Sequence, residues 1–137
     1  MTTPEDFVKR RLVSGPIWLN VNSQSFPGSG WLDFPVVVLG FWLTNLQPLV
    51  LGSLQECGCL FMDGPYAFDV KVVAHNEWAL NFVERTANGK CSLLTVTLEA
   101  SVVLSQIRTA AHAVVNLCRK RDWVDDDVIR LEKLLSE

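Results

Sequence analysis

The apolar residues in the first third of this chain follow a helical period. Between residues 34 and 47 they recur at intervals of three and four, which predicts a helix. The stripe consists of Val38, Leu39, Trp42, Leu43 and Leu46. Further apolar residues fall outside the stripe, so we expect this helix to be buried, with a sheet laid against it. Pro48 is expected to end the helix, because proline cannot donate a helical hydrogen bond.

Between residues 54 and 99 the apolar period changes to two, which predicts half-buried strands. Four strands are expected, over residues 57–62, 66–73, 78–85 and 91–98. Their connections are short and rich in turn-forming residues. Neighbouring strands must therefore be antiparallel, because a parallel return needs about a dozen residues or more. We expect one face of this sheet to be wet and the other to line the core.

The helical period returns after the sheet. Residues 101–121 predict a long, valine-rich helix that lies across the sheet. Its apolar seam consists of Val103, Ile107, Ala110, Val114 and Leu117, widened by Leu104, Ala111 and Cys118. A short amphipathic helix is expected to follow Asp125-Asp126-Asp127, whose carboxylates can cap its first turn.

The amino-terminal residues carry helix start and stop signals. Thr3-Pro4-Glu5-Asp6 offers a cap, a proline and two acids, and Gly15 offers a stop, which predicts a helix over residues 4–13. A strand over residues 17–21 and a loop over residues 26–30 are expected next. The predicted order is α-β-α-β-β-β-β-α-α in a single α+β domain of residues 1–137. An antiparallel sheet of four to five strands would pack against a buried helix and a long carboxy-terminal helix.

Composition supports an ordered domain with apolar surface available for a partner. The 137 residues are 49% hydrophobic and 20% charged, which is far from the composition of a disordered chain. No apolar run approaches the roughly 18 residues that a membrane span needs. After Lys9-Arg10-Arg11 the chain continues Val13-Ser14-Gly15-Pro16, where a signal peptide would place its apolar segment. We therefore expect a soluble, cytoplasmic protein.

Charge argues against nucleic acid as a partner. The net charge of the chain is −3. Residues 122–137 contain six acids against two bases, so this carboxy-terminal segment is more negative than the chain as a whole. An acidic chain without a basic face lacks the means to neutralise phosphates. The cluster Arg119-Lys120-Arg121 lies where the end of a helix favours cations.

The four cysteines, Cys57, Cys59, Cys91 and Cys118, could form two disulfides, a metal site or free thiols. A domain that can bury its own core and has no secretion signal favours free, buried thiols. Cys57-Gly58-Cys59 lacks the two-residue spacer of a zinc site, and both histidines are distant in sequence. We predict neither a metal nor a cofactor.

No set of residues in the sequence points to catalysis. His75 lies in a predicted hairpin turn, and His112 lies beside the apolar seam of a helix, where a core or boundary histidine is expected. No phosphate-binding loop, dinucleotide fingerprint, nucleophile elbow or H-E-x-x-H motif is present. Asp63, in Asp63-Gly64-Pro65, is typical of a turn rather than of an acid catalyst. We therefore expect a binding protein and not an enzyme.

Two tryptophans fall in predicted connections. Trp31 and Trp123 would be candidate anchors for a partner if they were exposed. Packing back onto the core is the favoured interpretation for both.

Two segments resemble a known group of proteins. These are Trp31-Leu32-Asp33-Phe34-Pro35, which runs into the helix of Trp42, and Phe61-Met62-Asp63-Gly64-Pro65-Tyr66, which joins two strands. Over about residues 31–78 the chain resembles the small immunity proteins encoded beside bacterial polymorphic toxins, including those of contact-dependent and type VI secretion systems. The resemblance implies neutralisation of a cognate toxin in the cytoplasm by tight binding, and it transfers no individual residue.

For an immunity protein, acids would steer encounter with a basic toxin surface and aromatic anchors would slow dissociation. The partner-binding residues that we predict are Asp122, Trp123, Asp125, Asp126 and Asp127, followed by Asp63 and Tyr66. One alternative is an acidic secretion chaperone that forms a homodimer and holds an unfolded segment of an effector. Another is a small-ligand or enzyme domain, which would need a deep pocket lined with polar groups.

Overall fold

The computed structural model of the chain describes residues 2–137, which contain three α-helices, nine strands and one 3-10 turn. The helices are α1 Pro35–Leu51, α2 Ala100–Lys120 and α3 Asp126–Leu135, and the 3-10 turn is Pro4–Asp6. The short strands are β1 Val8–Lys9, β2 Val13–Pro16, β3 Leu19–Val21, β4 Gln24–Phe26 and β5 Leu32–Asp33. The long strands are β6 Glu56–Leu60, β7 Tyr66–Ala74, β8 Glu77–Thr86 and β9 Gly89–Glu99. The chain is an α+β protein, as predicted.

The main sheet has the strand order β6-β7-β8-β9 and is antiparallel throughout. Its inner face carries the pairs Phe68 with Phe82 and Val70 with Leu80, and all four side chains are buried. Outer positions such as Lys71 are exposed. This confirms the prediction from the period of two, although each long strand differs from its expected bounds by one or two residues at one or both ends.

Helix α1 is buried on most sides and packs beside the edge strand β6. The indole Nε1 of Trp42 donates a hydrogen bond to the carbonyl of Leu60 at 2.7 Å. The amide of Asn45 donates to the carbonyl of Gly58 at 2.9 Å. These two bonds satisfy acceptors on a strand edge that would otherwise face solvent.

The expectation that Pro48 ends this helix is wrong. Pro48 lies in the last turn of α1, which continues to Leu51 and ends at Gly52 in the left-handed conformation, with φ +79°. Proline removes one hydrogen bond here, to the carbonyl four residues earlier, at Thr44. Thr44 is exposed, so water can solvate that carbonyl.

The predicted helix over residues 4–13 is also wrong. Only Pro4–Asp6 forms a single 3-10 turn, after which β1 and β2 make a small hairpin. Phe7 is buried against Gly15, where an added Cβ would lie 2.1 Å from the Phe7 ring. This contact requires the chain to turn back on itself within a few residues, which a straight helix cannot do. The expected strand at 17–21 is shortened to β3, which pairs with β4 outside the main sheet.

Helices α2 and α3 complete the fold. The buried side chains of α2 include Val103, Ile107 and Val114, on the predicted seam. The carboxylate of Asp125 accepts a hydrogen bond from the backbone N–H of Val128 at 3.0 Å, so it caps α3 as predicted. Among the helices of residues 2–137, none combines the length and hydropathy required to cross a membrane.

Candidate binding site

An apolar cleft of about 510 Å³ lies between α2 and the inner face of the sheet. Its floor comes from the sheet and from α1. The floor residues are Phe68, Leu80, Phe82, Leu98, Leu39 and Trp42. The deep end is almost closed to solvent, since Trp42 is 1% exposed, whereas the mouth is open. A cleft of this volume can hold a group of several apolar side chains or a small molecule.

The walls of the cleft are apolar and its rim is polar but uncharged. Helix α2 and strand β3 supply the walls through Val103, Ile107, Ala110, Leu19, Val21 and neighbouring residues. The rim includes Asn20, Asn22, Gln106 and Thr109, all exposed. Within residues 2–137, no charged side chain lines the cleft. It therefore suits an uncharged, apolar ligand that meets hydrogen-bonding groups only at the entrance.

Short side chains on α2 leave the space open. Ala110 and Ala113 line the cleft, Ala113 at its exposed mouth, and neither side chain extends beyond its Cβ. On the inner face of β9, Leu94 and Val96 are half buried, whereas their β8 partners Phe82 and Leu80 are buried. The run Thr109-Ala110-Ala111-His112-Ala113 is the signal in the sequence that could have indicated a gap, because small residues on a packing face cannot fill it. Sequence reasoning missed this cleft.

A second feature, the buried carboxylate of Asp33, was also missed. Asp33 is 3% exposed and accepts four hydrogen bonds. Oδ1 accepts from the backbone N–H groups of Phe34 at 2.8 Å and Met62 at 3.2 Å. Oδ2 accepts from the indole of Trp31 and the backbone N–H of Asp63, both at 3.1 Å. With both oxygens occupied, Asp33 is placed to hold structure rather than to transfer protons.

The Asp33 bonds join the two segments on which the family resemblance rests. The Trp31 ring also packs edge to face on Tyr66, with centroids 5.3 Å apart, and lies against Gly64. The connection between β6 and β7 is thereby fixed against the start of α1.

Asp63 and Tyr66, two of the predicted partner-binding residues, lie on this connection. Asp63 is exposed in a turn, as expected. Tyr66 is half buried, and its ring packs on Phe26 at 5.7 Å as well as on Trp31. Of these two residues, only Asp63 has an exposed side chain.

The other predicted residues lie after α2. Asp125 is occupied as the cap of α3, whereas Asp122 and Asp126 are exposed and Asp127 is half buried. Trp123 is half buried beneath the guanidinium of Arg121, which lies 4.9 Å from the centre of its ring. Trp31 and Trp123 therefore both pack back onto the domain, as the favoured interpretation held.

The structure does not bring the two predicted groups into contact. Within residues 2–137 no hydrogen bond, ion pair or ring contact joins the 122–127 segment to Asp63 or Tyr66. Neither group lines the apolar cleft. The predicted site thus divides into two separate surface features.

Both histidines are exposed. This confirms the turn position of His75 but contradicts the expected core or boundary position of His112. On α2, His112 follows the buried Ala111 and is rotated by about 100° from it, which turns the imidazole to solvent. Neither histidine side chain forms a hydrogen bond within residues 2–137, so neither imidazole is paired with a nucleophile there.

The four cysteines are free, but only two are buried. Cys59 and Cys118 are buried and Cys57 is half buried. The expectation of a buried thiol is wrong for Cys91, which is exposed near the start of the edge strand β9, before the burial of its residues begins to alternate. A hydrogen bond from Cys59 lowers the pKa of the Cys57 thiol. The same bond, together with burial, raises the pKa of Cys59 well above its usual value. No three metal-ligating side chains converge among residues 2–137.

Comparison with known proteins adds no relative. No protein-family model, curated protein or solved structure matches this chain.

Proposed function

We propose that this chain is a non-catalytic binding protein that takes an apolar segment of another polypeptide into the cleft between α2 and the sheet. The observation that carries the proposal is the chemistry of the cleft, which is apolar within and uncharged at its rim. The half-buried Leu94 and Val96 of β9 extend the apolar surface beyond the cleft. An elongated surface of this kind fits a chain segment better than a compact small molecule.

The resemblance to immunity proteins suggests a bacterial toxin as the polypeptide. In that case the apolar cleft anchors the toxin, and the exposed acids Asp122 and Asp126 accelerate encounter with a basic toxin surface. Binding would neutralise the toxin in the cytoplasm without chemistry on it.

A second candidate is a chaperone for a secreted effector. The cleft favours it, because an open apolar groove without charged residues can hold an unfolded segment of varied sequence. Such a protein would keep its partner unfolded or soluble rather than inhibit it.

The test is co-expression, in a bacterial host, with the protein encoded by the neighbouring reading frame. A variant with Gln106→Lys and Ala113→Lys places two charges at the mouth of the cleft, at exposed positions that leave the core intact. The control carries Ser105→Lys and Asn116→Lys, which are exposed on α2 outside the cleft. We expect the cleft variant to bind at least about tenfold more weakly than the control, because an apolar partner cannot solvate the new charges.

Equal binding by the two variants would contradict the use of the cleft. Rescue of host growth from a toxic partner supports immunity, whereas improved solubility of a non-toxic partner supports the chaperone. Absence of any complex with the neighbouring protein contradicts both candidates.

Replacing Asp122 and Asp126 by asparagine should slow association in a salt-dependent manner and leave dissociation nearly unchanged.

A further inference from the structure

Strand β9 is a long edge strand that carries few of the features that protect edges. Its only neighbour among residues 2–137 is β8, so one side of its backbone is unpaired. Edge strands are usually short, charged or interrupted by proline. Between Lys90 and Glu99, β9 contains neither charge nor proline, and only the bulge at Leu93 interrupts its ladder.

The residues after this bulge alternate regularly. Leu94, Val96 and Leu98 lie on the inner face and are half buried, while Thr95 and Thr97 are exposed on the outer face. The β8 residues opposite the inner three are buried. The apolar surface of the sheet therefore continues to its last strand, where it is only partly covered.

We propose that β9 pairs antiparallel with β9 of a second copy of this chain, about a two-fold axis at Val96. A two-fold contact requires a surface that is complementary to itself. With the axis at Val96, each Leu94 lies opposite Leu98 of the partner subunit and each Thr95 lies opposite Thr97 of the partner subunit. Apolar residues thus meet apolar residues on the inner face, and threonines meet threonines on the outer face.

The pairing is specific in register and free of charge conflict. A shift of the axis to Thr95 would set Leu98 opposite Ser92 of the partner subunit and break the apolar row. In the proposed register Glu99 faces Leu93 of the partner subunit, so no like charges lie directly opposite each other. This self-complementarity is the reason to assign a second copy, rather than a strand of another protein, to the edge.

Two four-stranded sheets joined in this way form one continuous sheet of eight strands, with both inner faces on the same side. The added strand lies beside Val96 and places Leu94 of the partner subunit next to Leu98, which lines the cleft. The inference does not depend on the proposed function, because it uses the edge and not the occupant of the cleft.

The test is sedimentation equilibrium of the full chain over a range of concentrations, with charge variants at the outer face. Thr95→Lys with Thr97→Lys places like charges opposite each other twice across the axis. Both threonines are exposed, so the monomer should fold. We expect dimerisation to weaken at least about tenfold, because like charges directly opposite destabilise strand pairs.

Thr95→Lys with Thr97→Glu is the rescue variant. In the proposed register each new ammonium group faces a new carboxylate, so dimerisation should return to the level of the unmodified chain. A control with Thr44→Lys and Ser105→Lys, exposed and outside β9, should dimerise normally.

Three results would overturn the inference. The unmodified chain could be a monomer at all concentrations, in which case any partner of the edge is a foreign strand. The double lysine variant could dimerise as well as the control, which would move the interface elsewhere. The rescue variant could remain as weak as the double lysine variant, which would disprove the register.

Discussion

Replacing Asp33 by asparagine removes the acceptor that ties the start of α1 to the β6–β7 connection. The substitution keeps the size of the side chain but leaves one acceptor oxygen for four donors, at distances of 2.8 to 3.2 Å. The new amide nitrogen would face two N–H groups that it cannot accept from. A hydrogen bond to a charged group contributes about 1.5–3 kcal/mol, so the loss of two predicts a destabilisation of about 3 kcal/mol or more. That is a large part of a typical stability of about 5–15 kcal/mol.

Equilibrium unfolding in urea measures this change as a lower midpoint at an unchanged slope. Hydrogen exchange should at the same time accelerate at the amides of Met62 and Asp63, which donate to Asp33. Asp63→Asn is the matched control, because Asp63 is exposed and its change should stay within about 0.5 kcal/mol. A loss below about 1 kcal/mol for Asp33→Asn, or protection of both amides, would refute the assigned role of the four bonds.

Two further predictions concern titrating groups. Because the Cys59 thiol lowers the pKa of Cys57, the Cys59→Ala variant should need a higher pH for alkylation of Cys57 by iodoacetamide, as measured by mass spectrometry of the Cys57 peptide. An unshifted pH profile would argue against the thiol pair. The hydrogen bond from Arg119 lowers the pKa of Glu132, so its stabilisation is present above the unfolded pKa and is lost as the pH falls through the lower folded value. Glu132→Gln should therefore reduce the Tm slightly near pH 7 and not in strong acid, as measured by thermal unfolding followed by circular dichroism. An equal reduction of the Tm at both pH values would contradict this prediction.

The parts of the fold that the sequence predicted are those whose burial pattern is local. Strands β7 and β8 alternate between core and solvent, and α2 presents its apolar seam at helical spacing, so periodicity alone identifies them. The error at the amino terminus arose because Thr3-Pro4-Glu5-Asp6 carries real capping signals that a single turn already satisfies. Packing of Phe7 on Gly15 then overrides any tendency to continue the helix.

The cleft and the Asp33 contact depend on distances in the folded chain, which the period of the apolar residues does not contain. Asp33 directly precedes the first predicted helix, but its partners include two backbone amides that lie about thirty positions away in the chain, at Met62 and Asp63. The cleft depends on how far α2 stands from the sheet, which follows from the combined lengths of side chains on three elements. In the sequence, only the alanines of α2 indicated that a cleft could lie beside this helix.

The proposed binding mode and the proposed dimer together constrain stoichiometry. A dimer through β9 has two clefts on one side of a continuous sheet, so it can hold two segments, or two parts of one long segment. An effector chaperone would use both clefts on a single unfolded chain, giving two copies of this protein to one partner. An immunity protein that anchors a folded toxin would bind one toxin per cleft, giving equal numbers. Light scattering on the purified complex separates these ratios, and it therefore distinguishes the two candidate functions even where both require the same cleft.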